Sequence, residues 1–230
     1  MIWEEHTYLM VDAELVARQR NTSLVREEAY KHAGNPIVAL ESRALTLGGR
    51  AKSLVTELVI NDGGTYRMWY QMRGAKPGLK AGPETNKEAF IGYAESQDGI
   101  AFKPVRLKQV SFNGSRNNHI VDFPTGDHPK VRISDLFHDP IDNEFPFKCV
   151  YYLPAKGSEL EPGVLARVPD QRERDFWLIW GIGRSRDGLI WEPPRNDPFL
   201  VRANPEHAKL HRALDGGLVL SDQMSSPIAQ

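Results

Sequence analysis

Cysteine is nearly absent from this chain. The single Cys149 among 230 residues excludes an intrachain disulfide and any multi-cysteine metal site, and its place in an apolar run reads as core filling. Net charge is equally scarce. The 29 Lys and Arg against 30 Asp and Glu leave −1, without the electrostatic footprint of a nucleic-acid or anionic-membrane binder. Nowhere does the chain approach the roughly 18 consecutive apolar residues that a membrane helix needs. Residues 1–11 carry Glu4, Glu5 and His6 where a secretory signal would have a basic start and an unbroken apolar stretch. With Met1 as the native start, a cytoplasmic location is expected. Helical periodicity is also sparse: residues 12–19 and 205–213 read as short helices, and neither has a broad apolar stripe.

Against these absences stand 40% hydrophobic and 26% charged residues, ordinary for a folded, water-soluble chain long enough to bury its own core. The dominant signal is a series of short β-branched and aromatic runs, at 54–60, 66–72, 90–94, 131–138, 147–153 and 176–182, separated by Gly, Pro, Asn and Asp. An all-β fold is expected.

The runs repeat. Residues 92–104 align without gaps on 181–193 at an offset of 89, matching Gly92 with Gly181, Ser96 with Ser185, Asp98-Gly99 with Asp187-Gly188, Phe102 with Trp191 and Pro104 with Pro193. Upstream, Tyr66 to Tyr70 pair with Phe147 to Tyr151 at an offset of 81, and Glu57-Leu58-Val59 pair with Asp135-Leu136-Phe137. Each unit reads as strand, tight turn, strand, long polar loop, strand, Asp-Gly turn, short strand. Four antiparallel strands per repeat make a propeller blade. The Ser-x-Asp-Gly segment is a structural signature: glycine supplies positive φ, and the Ser and Asp side chains bond nearby amides. This divides the single domain into lead-in strands (1–53), a first repeat (54–130), a second (131–212) and the start of a third (213–230), with its first strand over 214–220.

The Met68-Trp69-Tyr70 strand, the segment from Ile91 through Asp98-Gly99-Ile100, and Asn117-Asn118-His119-Ile120-Val121 resemble the five-bladed β-propeller glycoside hydrolase superfamily, which includes glycoside hydrolase families 32, 43 and 130. The resemblance spans roughly residues 8 to 220 by pattern. It implies a propeller of which this chain supplies about two blades and the start of a third, further blades coming from another chain segment or a second chain. It also implies carboxylates on the innermost strands that converge on an axial funnel to cleave a glycosidic bond. It permits an axial calcium; otherwise no cofactor is expected.

Glycosidic cleavage needs one carboxylic acid to protonate the leaving oxygen and one carboxylate to activate water or attack carbon. The repeat alignment puts Glu57, Asp135 and Asp215 at matching strand starts, and these three are the expected acid, base and tuning set, in undetermined order. Acids at strand starts also serve simply to bond a neighbouring turn, so the shared register is what points to function. Asp62, Asp98, Asp139 and Asp187 lie in turns and read as structural. Sugar binding adds aromatic platforms and planar donors, for which Trp69, His119 and Arg132 are the candidates; packing between repeats is the competing role for Trp69. His207 and His211 have helical zinc spacing but lack a zincin glutamate. The expected partner is an oligosaccharide or glycoside, with neither nucleic acid nor membrane. Two alternatives stand beside hydrolysis: a phosphorylase, with Arg132 and His119 beside the acids, and a non-catalytic carbohydrate-binding propeller. The linkage and the sugar are not readable.

Overall fold

A computed structural model describes residues 20, 30–39, 42–49, 51, 53–73, 89–123, 132–155, 177–192, 200–202, 208–213 and 216–222. The chain divides into two compact units, Met1–Asn35 and Pro36–Gln230. In the first, residues 32–35 form a turn in which the Asn35 N–H donates to the His32 carbonyl at 3.0 Å. The expected helix over 12–19 lies outside the described residues. The second unit holds every strand among the described residues.

The described residues are all β, with no helix among them. β1 (Ser53–Asp62), β2 (Thr65–Arg73), β3 (Ala89–Ser96) and β4 (Lys103–Pro104) form one antiparallel sheet in chain order. β5 (Arg132–His138), β6 (Phe147–Ala155), β7 (Trp177–Ser185) and β8 (Leu200–Arg202) form a second sheet of the same order, and β9 (Ala208–Arg212) and β10 (Leu218–Asp222) make a hairpin. The first strand of each sheet lies beside the first strand of the next, β1 against β5 and β5 against β9.

Period-two alternation along the second strands explains the stacking. In β2, Met68, Tyr70 and Met72 enter a cluster with Leu45, Ala51 and Ile120 on one face, whereas Trp69 faces the other way into a cluster with Ile133, Phe147 and Tyr151 of the second sheet. In β6, Cys149 and Tyr151 face the first sheet, while Val150 turns to Ala208 and Leu210 of the hairpin. Strands buried on both faces read as unbroken apolar runs, which is how these two stand out in the sequence.

The repeated Ser-x-Asp-Gly segments fold alike. Asp98 Oδ1 accepts from the N–H groups of Ile100 and Ala101 at 2.8 and 2.7 Å, and Asp187 Oδ1 from Leu189 and Ile190 at 2.8 Å each. Gly99 and Gly188 take φ of 72° and 76°. Hydrogen bonds from the Ser96 hydroxyl and the following amides hold the Asp98 carboxyl down at about 2.

Two expectations are corrected. Residues 208–212, placed in a helix, form β9, because Ala208 and Leu210 pack on Val150 while Lys209 and His211 face outward with the period of a strand. β9 pairs antiparallel with β10, which overlaps the run 214–220. Residues 119–121 run antiparallel along β3, through a Gly92–Ile120 bridge. The repeat alignment slips by one in the first strands. Each has a bulge, but the extra residue is Glu57 in β1 (Thr56 opposite Tyr70, Leu58 opposite Trp69) and Ser134 in β5 (Ile133 opposite Tyr151, Asp135 opposite Val150). Glu57 thus corresponds to Ser134, Leu58 to Asp135, and Asp62 to Asp139. The ion pairs agree with that register: Asp62 accepts from Arg67 at 3.1 Å, and Asp139 from Lys148 at 3.1 Å.

Candidate functional site

Although not equivalent in register, Glu57 and Asp135 meet electrostatically. Their bulges lie on adjacent first strands, and Lys209 of β9 joins them. Burial pushes the Glu57 carboxyl up to about 7; Lys209 opposes that rise, the neighbouring Asp135 adds to it, and Arg73 opposes it. A carboxyl that is half protonated at neutral pH is suited to give a proton to a leaving oxygen and take one back.

Asp135 is differently placed. It is 5% exposed; its Oδ1 accepts from Lys209 Nζ at 2.7 Å and its Oδ2 from the Leu210 N–H at 2.8 Å. The adjacent Ser134 hydroxyl accepts from the Ala208 N–H at 3.0 Å and faces the Ala208 carbonyl at 3.2 Å. The β5 bulge thereby serves the backbone of β9 with two side chains. An aspartate with both oxygens engaged is poorly placed to act as a nucleophile. The third expected acid, Asp215, lies outside the described residues, as does His207.

Of the three expected sugar-contacting residues, two belong to the core. Trp69 is fully buried; its indole N–H donates to the Gly188 carbonyl at 2.8 Å, and its ring lies 5.1 Å from Tyr93 and 5.3 Å from Phe147. It joins the first sheet to the Asp-Gly turn of the second and offers a ligand no surface. His119 stacks on Tyr70 at 6.0 Å, on the face of the first sheet turned away from the second. Its burial pulls the imidazole down to about 4, only partly offset by the Leu45 carbonyl, so it is neutral at physiological pH. Its Nε2 is buried and unpartnered. Arg132 opens β5 opposite Tyr152, and its backbone alone is described.

Lys209 and Arg73 act electrostatically on Glu57, and Gln71 holds Arg73. Gln71 is 3% exposed, donates from Nε2 to the Ile133 carbonyl at 3.3 Å and accepts from Arg73 Nε. The period-two row Trp69, Gln71, Arg73 was the available signal, since it carries polarity outward along a face that Trp69 makes apolar. Lys209 fell within the segment read as a helix. Cys149 is buried, its thiol pushed up to about 12 chiefly by burial, which leaves it unsuited to nucleophilic work. No group of three or more His, Cys, Asp or Glu among the described residues is disposed to hold a metal. No helix among them is long and apolar enough to cross a membrane. The sequence matches no protein-family model, and no curated protein matches it.

Proposed function

We propose that the chain is part of a five-bladed, glycoside hydrolase-like propeller that binds a carbohydrate where its first strands meet and cleaves a glycosidic bond, with Glu57 as the proton donor. The observation that carries this reading is the Lys209–Asp135 ion pair at 2.7 Å between β9 and β5, with β1, the strand of Glu57, lying against β5. The order of strands within each sheet and the succession of first strands favour blades around a common centre over a two-sheet sandwich, which needs no such succession.

In this reading Glu57 starts protonated and donates to the glycosidic oxygen as the bond to the anomeric carbon breaks. Asp135 beside Glu57 favours the protonated acid and stabilises the positive charge that develops on the sugar ring. Lys209 and the Leu210 N–H hold the Asp135 carboxyl in place. The carboxylate that activates water is outside this pair. Phosphorolysis loses one of its two expected supports, because His119 packs on the far face of the sheet.

The test is release of sugar from a panel of aryl glycosides and oligosaccharides by the complete protein and by Glu57→Gln. A proton donor of this kind contributes about 100- to 10,000-fold. The variant should lose that much on oligosaccharides, less on aryl glycosides whose leaving groups need no proton, and should lose the fall in rate near pH 7 on the alkaline side. Equal rates for the two proteins would defeat the assignment of Glu57; sugar binding without turnover by either would leave a binding module in place of an enzyme.

A further inference from the structure

A β-bulge re-aims the side chains beside it, and how closely it aims them depends on how its two ends are held. The β5 bulge lies between Ile133 and Asp135, so it sets the direction of the Asp135 carboxyl. Its far end is tied to the hairpin: the Ser134 hydroxyl accepts from the Ala208 N–H, and Asp135 accepts from Lys209 and from the Leu210 N–H. Those bonds fix the carboxyl relative to β9. Its place relative to the first sheet, where β1 carries Glu57, needs a tie on the other side.

Gln71 supplies that tie. Buried in β2, it donates from Nε2 to the Ile133 carbonyl at 3.3 Å, next to the extra residue Ser134. Arg73 Nε, which can only donate, holds the amide oxygen and so fixes which end of the amide faces β5. A buried amide is unfavourable unless its hydrogen bonds are made, and an apolar side chain of this length would leave the Ile133 carbonyl without this donor. The corresponding carbonyl of the next unit is engaged likewise. Ile133 stands opposite the fifth residue of β6 and Ala208 opposite the fifth residue of β10, and the Ala208 carbonyl takes the Ser134 hydroxyl at 3.2 Å.

We propose that Gln71 is a positioning residue: from β2 it anchors the entry of the β5 bulge and thereby places the Asp135 carboxyl against β1 and Glu57. It acts through Asp135 and not on the ligand. Its effect on turnover rests on the carbohydrate reading above, whereas the placement of Asp135 can be read without a substrate.

The experiment compares the complete protein with Gln71→Met, which keeps the length without the amide, and Gln71→Glu, which keeps an acceptor for Arg73 and loses the N–H toward Ile133. Folding is checked by circular dichroism, amide exchange at Leu210 reports the Asp135 contact, and kcat and KM are measured on the panel of aryl glycosides and oligosaccharides. In Gln71→Met the Leu210 amide should exchange about fivefold faster or more relative to the amides of β3, the size of one hydrogen bond. There kcat should fall about 10- to 100-fold with KM unchanged, as for a misplaced group. Gln71→Glu should match it at neutral pH and recover toward the wild type on acidification, when the carboxyl regains a proton to donate. Leu210 exchange unchanged in both variants overturns the placement of Asp135 by Gln71. Faster exchange with kcat unchanged overturns the positioning role and leaves a structural contact. Wild-type behaviour of Gln71→Glu at neutral pH overturns the tie through Ile133. No turnover by the unaltered protein overturns the carbohydrate-cleaving reading, and faster Leu210 exchange in both variants then still supports the placement.

Discussion

Glu57 and Asp135 show how a carboxyl group is set by its surroundings, one by burial and the other by hydrogen bonds. Burial raises Glu57 to about 7, so the native chain holds a proton that the unfolded chain has released. Stability should then be undiminished below the ordinary glutamate pKa and should fall as pH rises through about 7. Glu57→Gln removes that dependence. Urea unfolding should find the two proteins alike near pH 4 and the variant more stable near pH 8, by up to about 3 kcal/mol. A wild-type advantage at pH 8 would mean that the charged form of Glu57 is favoured in the native state. Asp135 is held by hydrogen bonds, its side chain accepting from the Leu210 N–H and from Lys209. Replacing it by Ala strands a buried amide and should cost on the order of 3 kcal/mol. Amide exchange at Leu210 should speed up more than at residues of β2, and uniform exchange across the sheets would contradict this local role.

At the level of elements, the two Asp-Gly turns are close copies in different surroundings, and the difference is measurable. A Cβ at Gly188 would meet Trp69 Cζ2 at 2.6 Å and Phe147 Cδ1 at 3.0 Å, whereas the nearest atoms to one at Gly99 are those of the Tyr66 ring, at 3.4 Å. Both glycines have positive φ, so alanine costs roughly 1 kcal/mol of backbone strain at either. Gly188→Ala adds overpacking worth about 1–3 kcal/mol. Thermal unfolding should rank Gly188→Ala well below Gly99→Ala, and equal melting temperatures would mean that the Trp69 contact yields freely.

These turns and the doubly buried strands β2 and β6 were legible in the sequence, because positive-φ chemistry and alternation are local. The bulges were not. An extra residue at Glu57 in one strand and at Ser134 in the other leaves the composition of both runs unchanged, and only the pairing with β2 and β6 reveals which residue is unpaired. The same limit hid β9. Its apolar residues, Ala208 and Leu210, are too few to distinguish strand from helix, and packing against Val150 decides the matter. Trp69 was legible as a packing residue and equally as a platform; its bond to a carbonyl 119 residues away selects between them.

Across the molecule, the sheets are joined by polar contacts as well as by apolar faces. Arg67 crosses from the first sheet to the second, donating to the Asp187 carbonyl at 2.6 Å and to the Tyr93 hydroxyl at 2.8 Å. From the second sheet to the hairpin, the fully buried Asp139 accepts from Lys148 and from two nitrogens of Arg212. Burial alone would raise the Asp139 carboxyl, but the hydrogen bonds from Arg212 and Lys148 outweigh it and hold the group below the usual aspartate range. Its contribution is therefore present above the ordinary aspartate pKa and is lost as pH falls through the lower native value. Asp139→Asn leaves two cations facing a neutral group and should cost about 3–5 kcal/mol. It should also flatten the acid limb of the stability curve and expose the β9 and β10 amides to exchange before those of the first sheet. Simultaneous exchange everywhere would mean that the hairpin does not depend on this contact.

The Gly188 carbonyl takes a second indole N–H besides that of Trp69, from Trp191 at 3.0 Å, three residues along its own turn. One tryptophan thus reaches this oxygen from the neighbouring sheet and the other from within. Nitrogen-15 spectra of the two indole protons can therefore time separate events during denaturation: parting of the sheets releases the Trp69 resonance first, whereas collapse of the turn releases both together.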